Sequence, residues 1–155
     1  MKKKLVILIV VVIVIALYII VKCLPNEQAR VKQDINAFAK AVEQENKRDV
    51  LSYIDEMYID NHGVDYEVFV NNLAHLFNTA DSIRVKITGL EINIDSADAQ
   101  NIIFASCSLG LKIFARYQGD RVLIFGGFVK PNPVRAFFKK TDETNNHYKV
   151  YTAEY

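Results

Sequence analysis

Apolar and polar positions divide this chain into three stretches of different period. From Leu5 to Val21 roughly seventeen residues run without a charge, bounded by Lys2-Lys3-Lys4 and by Lys22. As a helix this run measures about 26 Å at about 1.5 Å per residue, close to the ~30 Å hydrocarbon core of a bilayer. Lys4 and Lys22 reach the head groups by snorkelling. The expectation is a transmembrane anchor over residues 1–24, touching lipid through residues 5–21, ahead of one domain over 25–155. A cleaved signal peptide fits less well. Its apolar region is usually about 7–15 residues and ends in a small-x-small site, whereas Val21-Lys22-Cys23-Leu24-Pro25 follows here. Lys22 also stands where a lipobox carries Gly or Ala. Positive charge gathered at Lys2 to Lys4 sets the N-terminus in the cytoplasm and the domain on the periplasmic or extracellular side.

After Pro25 the period becomes helical. Asn26 is a suitable cap, and Val31, Ile35, Phe38 and Val42 recur on one face with Lys32, Asp34, Lys40 and Glu43 on the others. Glu43 and Lys47 stand as an i,i+4 pair, and the helix is expected to end near Asn46-Lys47-Arg48. Asp49 caps a short second helix carrying Val50, Leu51, Ile54 and Met57. Asn61-His62-Gly63 marks a loop, and Asp65 caps a third helix with Tyr66, Phe69, Val70, Leu73, Leu76 and Phe77 on its apolar side.

From Ile83 the period is two. Ile83, Val85 and Ile87 alternate with Arg84, Lys86 and Thr88, and after Gly89 the apolar set slips to Leu90, Ile92 and Ile94, as a β-bulge would produce. Asp95 to Asp98 reads as a turn. A long strand follows from Asn101 to Tyr117, its odd positions from Ile103 to Ala115 forming one apolar face. Gln118-Gly119-Asp120 fits a hairpin turn, and Arg121 to Val129 returns as a strand that bends at Gly126-Gly127. Pro131-Asn132-Pro133 is expected to interrupt the ladder, with Lys130, Arg135, Lys139 and Lys140 in a solvated loop or an acidic-partner patch. His147 to Tyr155 forms a last strand. Three helices followed by about four antiparallel strands give an α+β domain, the helices packed on one face of a curved sheet.

The chain has 19 basic and 18 acidic residues. Setting aside Lys2, Lys3, Lys4 and Lys22 leaves 15 basic against 18 acidic, a net of −3. A mildly acidic domain is a poor nucleic-acid partner, which needs clustered positive charge. Of the two cysteines, Cys23 borders the apolar run and Cys107 falls on the inward face of a strand, where it reads as a small core residue.

The helix leading through Asn46-Lys47-Arg48-Asp49 into Val50-Leu51-Ser52-Tyr53-Ile54-Asp55-Glu56, the loop from Tyr58 to Asp65, and the long hairpin strands behind it are similar to the nuclear-transport-factor-2-like superfamily, which includes SnoaL-like proteins and ketosteroid isomerases. The resemblance covers residues 28–155. It implies a cone whose mouth holds an apolar ligand and a sheet that serves in dimerisation. It also places Asp60, beside Asn61 and His62, near the position of an isomerase base. The chain departs from the catalytic pattern elsewhere. Ala37 and Phe38 stand where isomerases carry a tyrosine, and the strand from Ile102 to Ala115 has no acid to act as a second donor. A membrane anchor joined to this fold is also similar to the inner-membrane core protein of type IV secretion systems, but Pro131-Asn132-Pro133-Val134 does not match that family's Asn-Pro-x-Gly motif.

No catalytic set, metal site or cofactor is therefore expected; His62 and His75 lack partners at ligand spacing. The candidates for a ligand pocket are Tyr53, Tyr58, Asp60, His62, Tyr66 and Phe69, although the aromatic members serve equally as helix–sheet core. Phe104, Phe114, Phe125 and Phe128 are candidates for a protein interface or homodimer contact through the sheet. Two functions remain open. One is a membrane-anchored, non-enzymatic interaction or scaffold domain, an accessory subunit of a membrane-associated complex, with a filled cone. The other is a small-molecule-binding or SnoaL-like enzymatic domain, with an open cavity of a few hundred Å³.

Overall fold

The computed structural model describes residues 26–97, 102–141 and 147–155. The expected anchor over Leu5 to Val21, with its flanking Lys4 and Lys22, lies outside the described residues. Among the described residues no helix is long and apolar enough to cross a membrane.

Three helices come first: α1 (Glu27–Glu43), α2 (Lys47–Ser52) and α3 (Tyr66–Thr79). Asn26 caps α1 by accepting the Gln28 N–H at 3.1 Å, and Asp65 caps α3 by accepting the Val68 N–H at 2.9 Å. The cap of α2 is Asn46 rather than Asp49. Asn46 accepts the Asp49 N–H, and its own amide donates to the Asp49 carboxylate at 2.7 Å, so the two side chains brace the first turn reciprocally. Glu43 accepts the Val85 N–H at 2.9 Å and so joins the end of α1 to the sheet. Met57, expected on the apolar side of α2, is exposed.

Five antiparallel strands follow: β1 (Asp81–Ala97), β2 (Ile103–Tyr117), β3 (Asp120–Phe125), β4 (Asn132–Lys140) and β5 (Lys149–Glu154). Their order is β1-β2-β4-β5, with β3 also paired to β2. The slip at Gly89 is present: the β1–β2 register shifts between Thr88 and Glu91, and Gly89 adopts φ +60°. β1 continues through Ser96 and Ala97, where a turn was expected.

The count of about four strands is corrected by β4. The segment expected as a break and a solvated basic loop is a central strand paired to β2 on one side and β5 on the other. Its alternation decides this. Val134 and Phe138 are buried with Lys140, while Arg135 faces out. Pro133 is tolerated because it pairs opposite Gly110 beyond the last β4–β5 pair, Arg135 with Glu154, where no β5 partner requires its missing N–H. The charges are absorbed locally: Lys140 donates to Glu27 at 2.7 Å and Lys139 pairs with Asp55 at 2.9 Å.

β3 ends at Phe125, not Val129. Phe125 pairs with Ile113 and Asn132 with Leu111. β3 and β4 thus share one edge of β2 end to end, and residues 126–131 leave that line as an excursion opposite Lys112. The concave face of the sheet carries the odd positions of β2 and packs against the helices. One core cluster joins Val42, Val50, Leu73, Ile83 and Ala115. A second joins Val31, Ile35, Cys107, Phe138 and Tyr148.

Candidate functional site

Between these clusters the concave face encloses a cavity of about 360 Å³. Its wall is built by the helical stripe and by the sheet's inward positions, with Phe38 and Phe69 facing Leu109, Leu111, Ala136 and Phe138. The surface is overwhelmingly apolar. The few polar groups that reach it include Asp34, Asp60, Tyr53, Tyr58, Tyr148 and Tyr155.

Asp60 is 7 % exposed. Its Oδ1 accepts the His62 N–H at 2.9 Å and the Val64 N–H at 2.8 Å, which closes the tight loop ahead of α3. Its Oδ2 accepts the Tyr155 hydroxyl at 2.5 Å. Burial pushes the carboxyl pKa up, but the three hydrogen bonds, with His62 adding to them, pull it further down, so it is held below its ordinary value. Burial, then the bond to Asp60, pushes the Tyr155 phenol up to about 12. The pair is an ionised acceptor and a neutral donor. A carboxylate stabilised in this way by three donors is a weakened base for proton abstraction.

Tyr58 differs. Burial, followed by the nearby Asp60 charge and Tyr155, pushes its phenol above the ordinary tyrosine value. Its hydroxyl donates to no group among the described residues. No sealed-off side-chain polar atom there lacks a partner, so this hydroxyl keeps access to open space. It is an unspent donor on a residue that lines the apolar cavity.

Four of the six pocket candidates, Tyr53, Tyr58, Asp60 and Phe69, line the cavity. Two do not. His62 lies outside, its ring 4.9 Å from that of Tyr155 and its Nε2 3.0 Å from the Tyr155 main-chain oxygen. Tyr66 packs on the small cluster of Ile54, Tyr58 and Ala153. The interface candidates also divide. Phe104 packs edge-on to Tyr151 on the convex face, and Phe114 lies beneath the Arg121 guanidinium at 5.1 Å. Phe125 is corrected from sheet exterior to cavity wall, where it meets Tyr155. A bulge between Ile113 and Phe114 turns it inward. Phe128 alone stands free, 90 % exposed.

Sequence reasoning missed Asp34, Tyr148 and Tyr155. Helical spacing sets Asp34 off the apolar face of α1, yet it is buried, accepting the Tyr148 N–H at 2.8 Å and meeting His147 Nδ1 at 2.9 Å. Its position three residues after Val31, at the edge of the apolar stripe, was the available signal. Cys107 is buried, and burial pushes its thiol up to about 11. Among the described residues no three His, Cys, Asp or Glu side chains converge as metal donors.

No family model and no curated protein matches the chain. Solved structures do. An inferred dehydratase of the NTF2-like family from Streptomyces avermitilis aligns with a TM-score of 0.59 at 14% identity, over 84% of this chain and 97% of that one. The fold is NTF2-like. A conserved protein from Planctomyces limnophilus gives a TM-score of 0.62 at 10% identity, over 83% of this chain and 94% of that one. A protein that determines helical cell shape in Campylobacter jejuni gives 0.59 at 13% identity over 77% of this chain, which spans only 37% of that longer protein. These likenesses lie at 10–14% identity, so the cavity's chemistry has to be read from this chain's own residues.

Proposed function

We propose that this chain is a membrane-anchored, NTF2-like binding domain whose cavity holds a small, neutral, largely apolar molecule without transforming it. The supporting observation is the open cavity of about 360 Å³, walled by aliphatic and aromatic side chains. An interaction scaffold needs no such space, whereas volumes of about 300–1,000 Å³ are usual for small-molecule sites. The volume is at the small end of that range and suits a compact ligand.

The polar end narrows the class. Tyr58 offers a hydrogen-bond donor, so the ligand brings an acceptor such as a ketone, ester or hydroxyl oxygen. The ionised Asp60 beside it disfavours a carboxylate at that end through like-charge repulsion in a low-dielectric site. Non-enzymatic binding is favoured because Asp60 is engaged by three donors and held ionised below its ordinary value, and Asp34, the other carboxylate at the wall, is engaged by Tyr148 and His147. The anchor is supported by the uncharged run from Leu5 to Val21, and it would hold the domain where apolar molecules partition out of the bilayer.

The experiment compares acetylnaphthalene with naphthoate, a neutral ketone and an anion of similar shape, against the full chain in lipid nanodiscs. The thermal midpoint of the domain should rise with the ketone and stay unchanged with the acid, since only a ligand of the native state stabilises it. Equal shifts would overturn the charge argument. No shift with either, together with no ligand carried through purification, would overturn the binding reading.

A further inference from the structure

We infer that the excursion at residues 126–131 is a membrane-contact tip that sets Phe128 and Val129 among the head groups of an anionic bilayer. Phe128 and Val129 are 90 % and 89 % exposed, the two most exposed large apolar side chains among the described residues. They are adjacent and sit on a built loop. Lys112, itself nearly buried, donates its ammonium to the Phe128 carbonyl at 2.9 Å. Gly126 holds φ +96°, and a Cβ there would meet the Leu111 carbonyl at 2.6 Å. A Cβ on Gly127 would meet the Lys130 carbonyl at 2.8 Å, and one on Gly110 would meet Pro131 at 3.0 Å. Two glycines in the loop and one beneath it therefore let residues 126–131 lie tightly over the convex face and hold the tip outward. A solvated loop requires none of this.

The charge around the tip selects the partner. Lys130 is exposed beside Val129, and Arg84, Lys86, Arg116 and Arg121 are exposed on the same half of the sheet. Register places Arg84 opposite Phe114, Lys86 opposite Lys112, and Arg116 opposite Arg121 on the convex face. Asp81, opposite Arg116, and Asp120 are the acids nearby, while Glu91 and Asp95 lie on the remote half of β1. An acidic domain is thus polarised, with an aromatic-aliphatic point in a basic field, the pairing that suits an interface of anionic lipid. The tip lies opposite Lys112, and the start of α1 is fixed by Glu27 to Lys140, opposite Ile103. That separation along β2 is about 26–30 Å at about 3.3 Å per residue. A leader and a tip that meet one bilayer therefore require β2 to lie along its surface. This geometry rests on the proposed anchor; the tip's lipid contact does not depend on the cavity.

The chain has no tryptophan, so Phe128→Trp supplies a single reporter. The full-length variant is reconstituted in phosphatidylcholine vesicles with and without phosphatidylglycerol. The expected result is a blue-shifted emission that brominated acyl chains quench, stronger with phosphatidylglycerol and weakened by Lys130→Glu with Arg121→Glu or by high salt. Emission typical of water in both vesicles would overturn the proposal. So would a blue shift without bromolipid quenching, which would mean that a protein surface, including a second copy of this chain, covers the tip. Met57→Trp, on another exposed site, serves as the control and should remain unquenched. Failure of the anchor reads out separately, because the chain would then float only with vesicles that contain phosphatidylglycerol.

Discussion

The Tyr155 hydroxyl donates to Asp60 Oδ2 at 2.5 Å across 95 positions of sequence, joining the end of the sheet to the loop before α3 at the polar end of the cavity. Two amide donors, from His62 and Val64, bind the other carboxylate oxygen. Tyr155→Phe keeps the ring contacts with Phe125 and His62 and removes one donor. Hydrogen bonds to charged groups contribute about 1.5–3 kcal/mol, and because Tyr155 is 44 % exposed the expected loss falls below that range, about 1 kcal/mol. The Asp60 carboxyl should titrate at higher pH in this variant. Urea denaturation and a carbon-detected NMR titration measure the two effects.

Acid should unfold the domain through Asp60 and Glu27. Both carboxyls are held below their ordinary values against the upward push of burial, Glu27 by the Lys140 and Tyr148 hydrogen bonds and the Lys140 charge. A depressed native pKa means that the unfolded chain binds the proton first. Their stabilisation is then complete above the unfolded carboxylate range, about 4–4.5, and drains away as pH falls through the lower native values. Glu27→Gln combined with Asp60→Asn should flatten the acid limb of stability against pH while lowering the plateau near neutrality. An unchanged acid limb would mean that other carboxylates carry it.

The Glu27–Lys140 contact links α1 to β4, and Glu27 also accepts the Tyr148 hydroxyl at 2.7 Å. Lys140 is only 8 % exposed, so Lys140→Met removes the nearer of the two cations at Glu27 and leaves Arg30 at 3.7 Å. Breaking a fully buried pair costs about 3–5 kcal/mol; Glu27 keeps some solvent, and the expected loss is about 2 kcal/mol. The double variant Glu27→Gln, Lys140→Met should recover part of it, as measured by equilibrium denaturation.

Helix positions, the bulge at Gly89 and the inward face of β2 were legible because each depends on near neighbours: a capping side chain, one glycine, an alternation. β4 was not. Pro131 and Pro133 argued for a break and Lys139 and Lys140 for solvent, and only partners distant in sequence, Glu27 and Asp55, make those lysines compatible with a central strand. The site was half legible for the same reason. Asp60 and Tyr58 stand in a recognisable loop, whereas Asp34 and Tyr155 acquire meaning only when β5 closes the sheet and brings Tyr148 and the 59–65 loop against them.

Cys107 should be inert. Its thiol lies on the inward face of β2, at the cavity wall, and burial pushes its pKa up to about 11, so the thiolate is scarce near neutral pH. In a Cys23→Ser chain, maleimide labelling at neutral pH should be negligible in the native state and complete in denaturant. Rapid native labelling, slowed by a cavity ligand, would instead show that the cavity breathes open.

Volume and donor make separable contributions to ligand binding. Ala136 borders empty space on β4, so Ala136→Leu adds three carbons to the cavity without displacing packed atoms. Filling a void in this way restores dispersion contacts and should leave stability unchanged or raise it by about 1 kcal/mol, while abolishing acetylnaphthalene binding. Tyr58→Phe does the reverse. It keeps the ring against Phe69 at 5.6 Å and removes only the hydroxyl. Loss of a neutral hydrogen bond of about 0.5–1.5 kcal/mol predicts ketone affinity reduced about 2- to 10-fold, with little change in folding because that hydroxyl has no partner among the described residues. Calorimetric titration beside thermal denaturation tests both variants. If Tyr58→Phe lost stability rather than affinity, the hydroxyl would belong to the fold and the ligand's acceptor would have to be sought elsewhere on the wall.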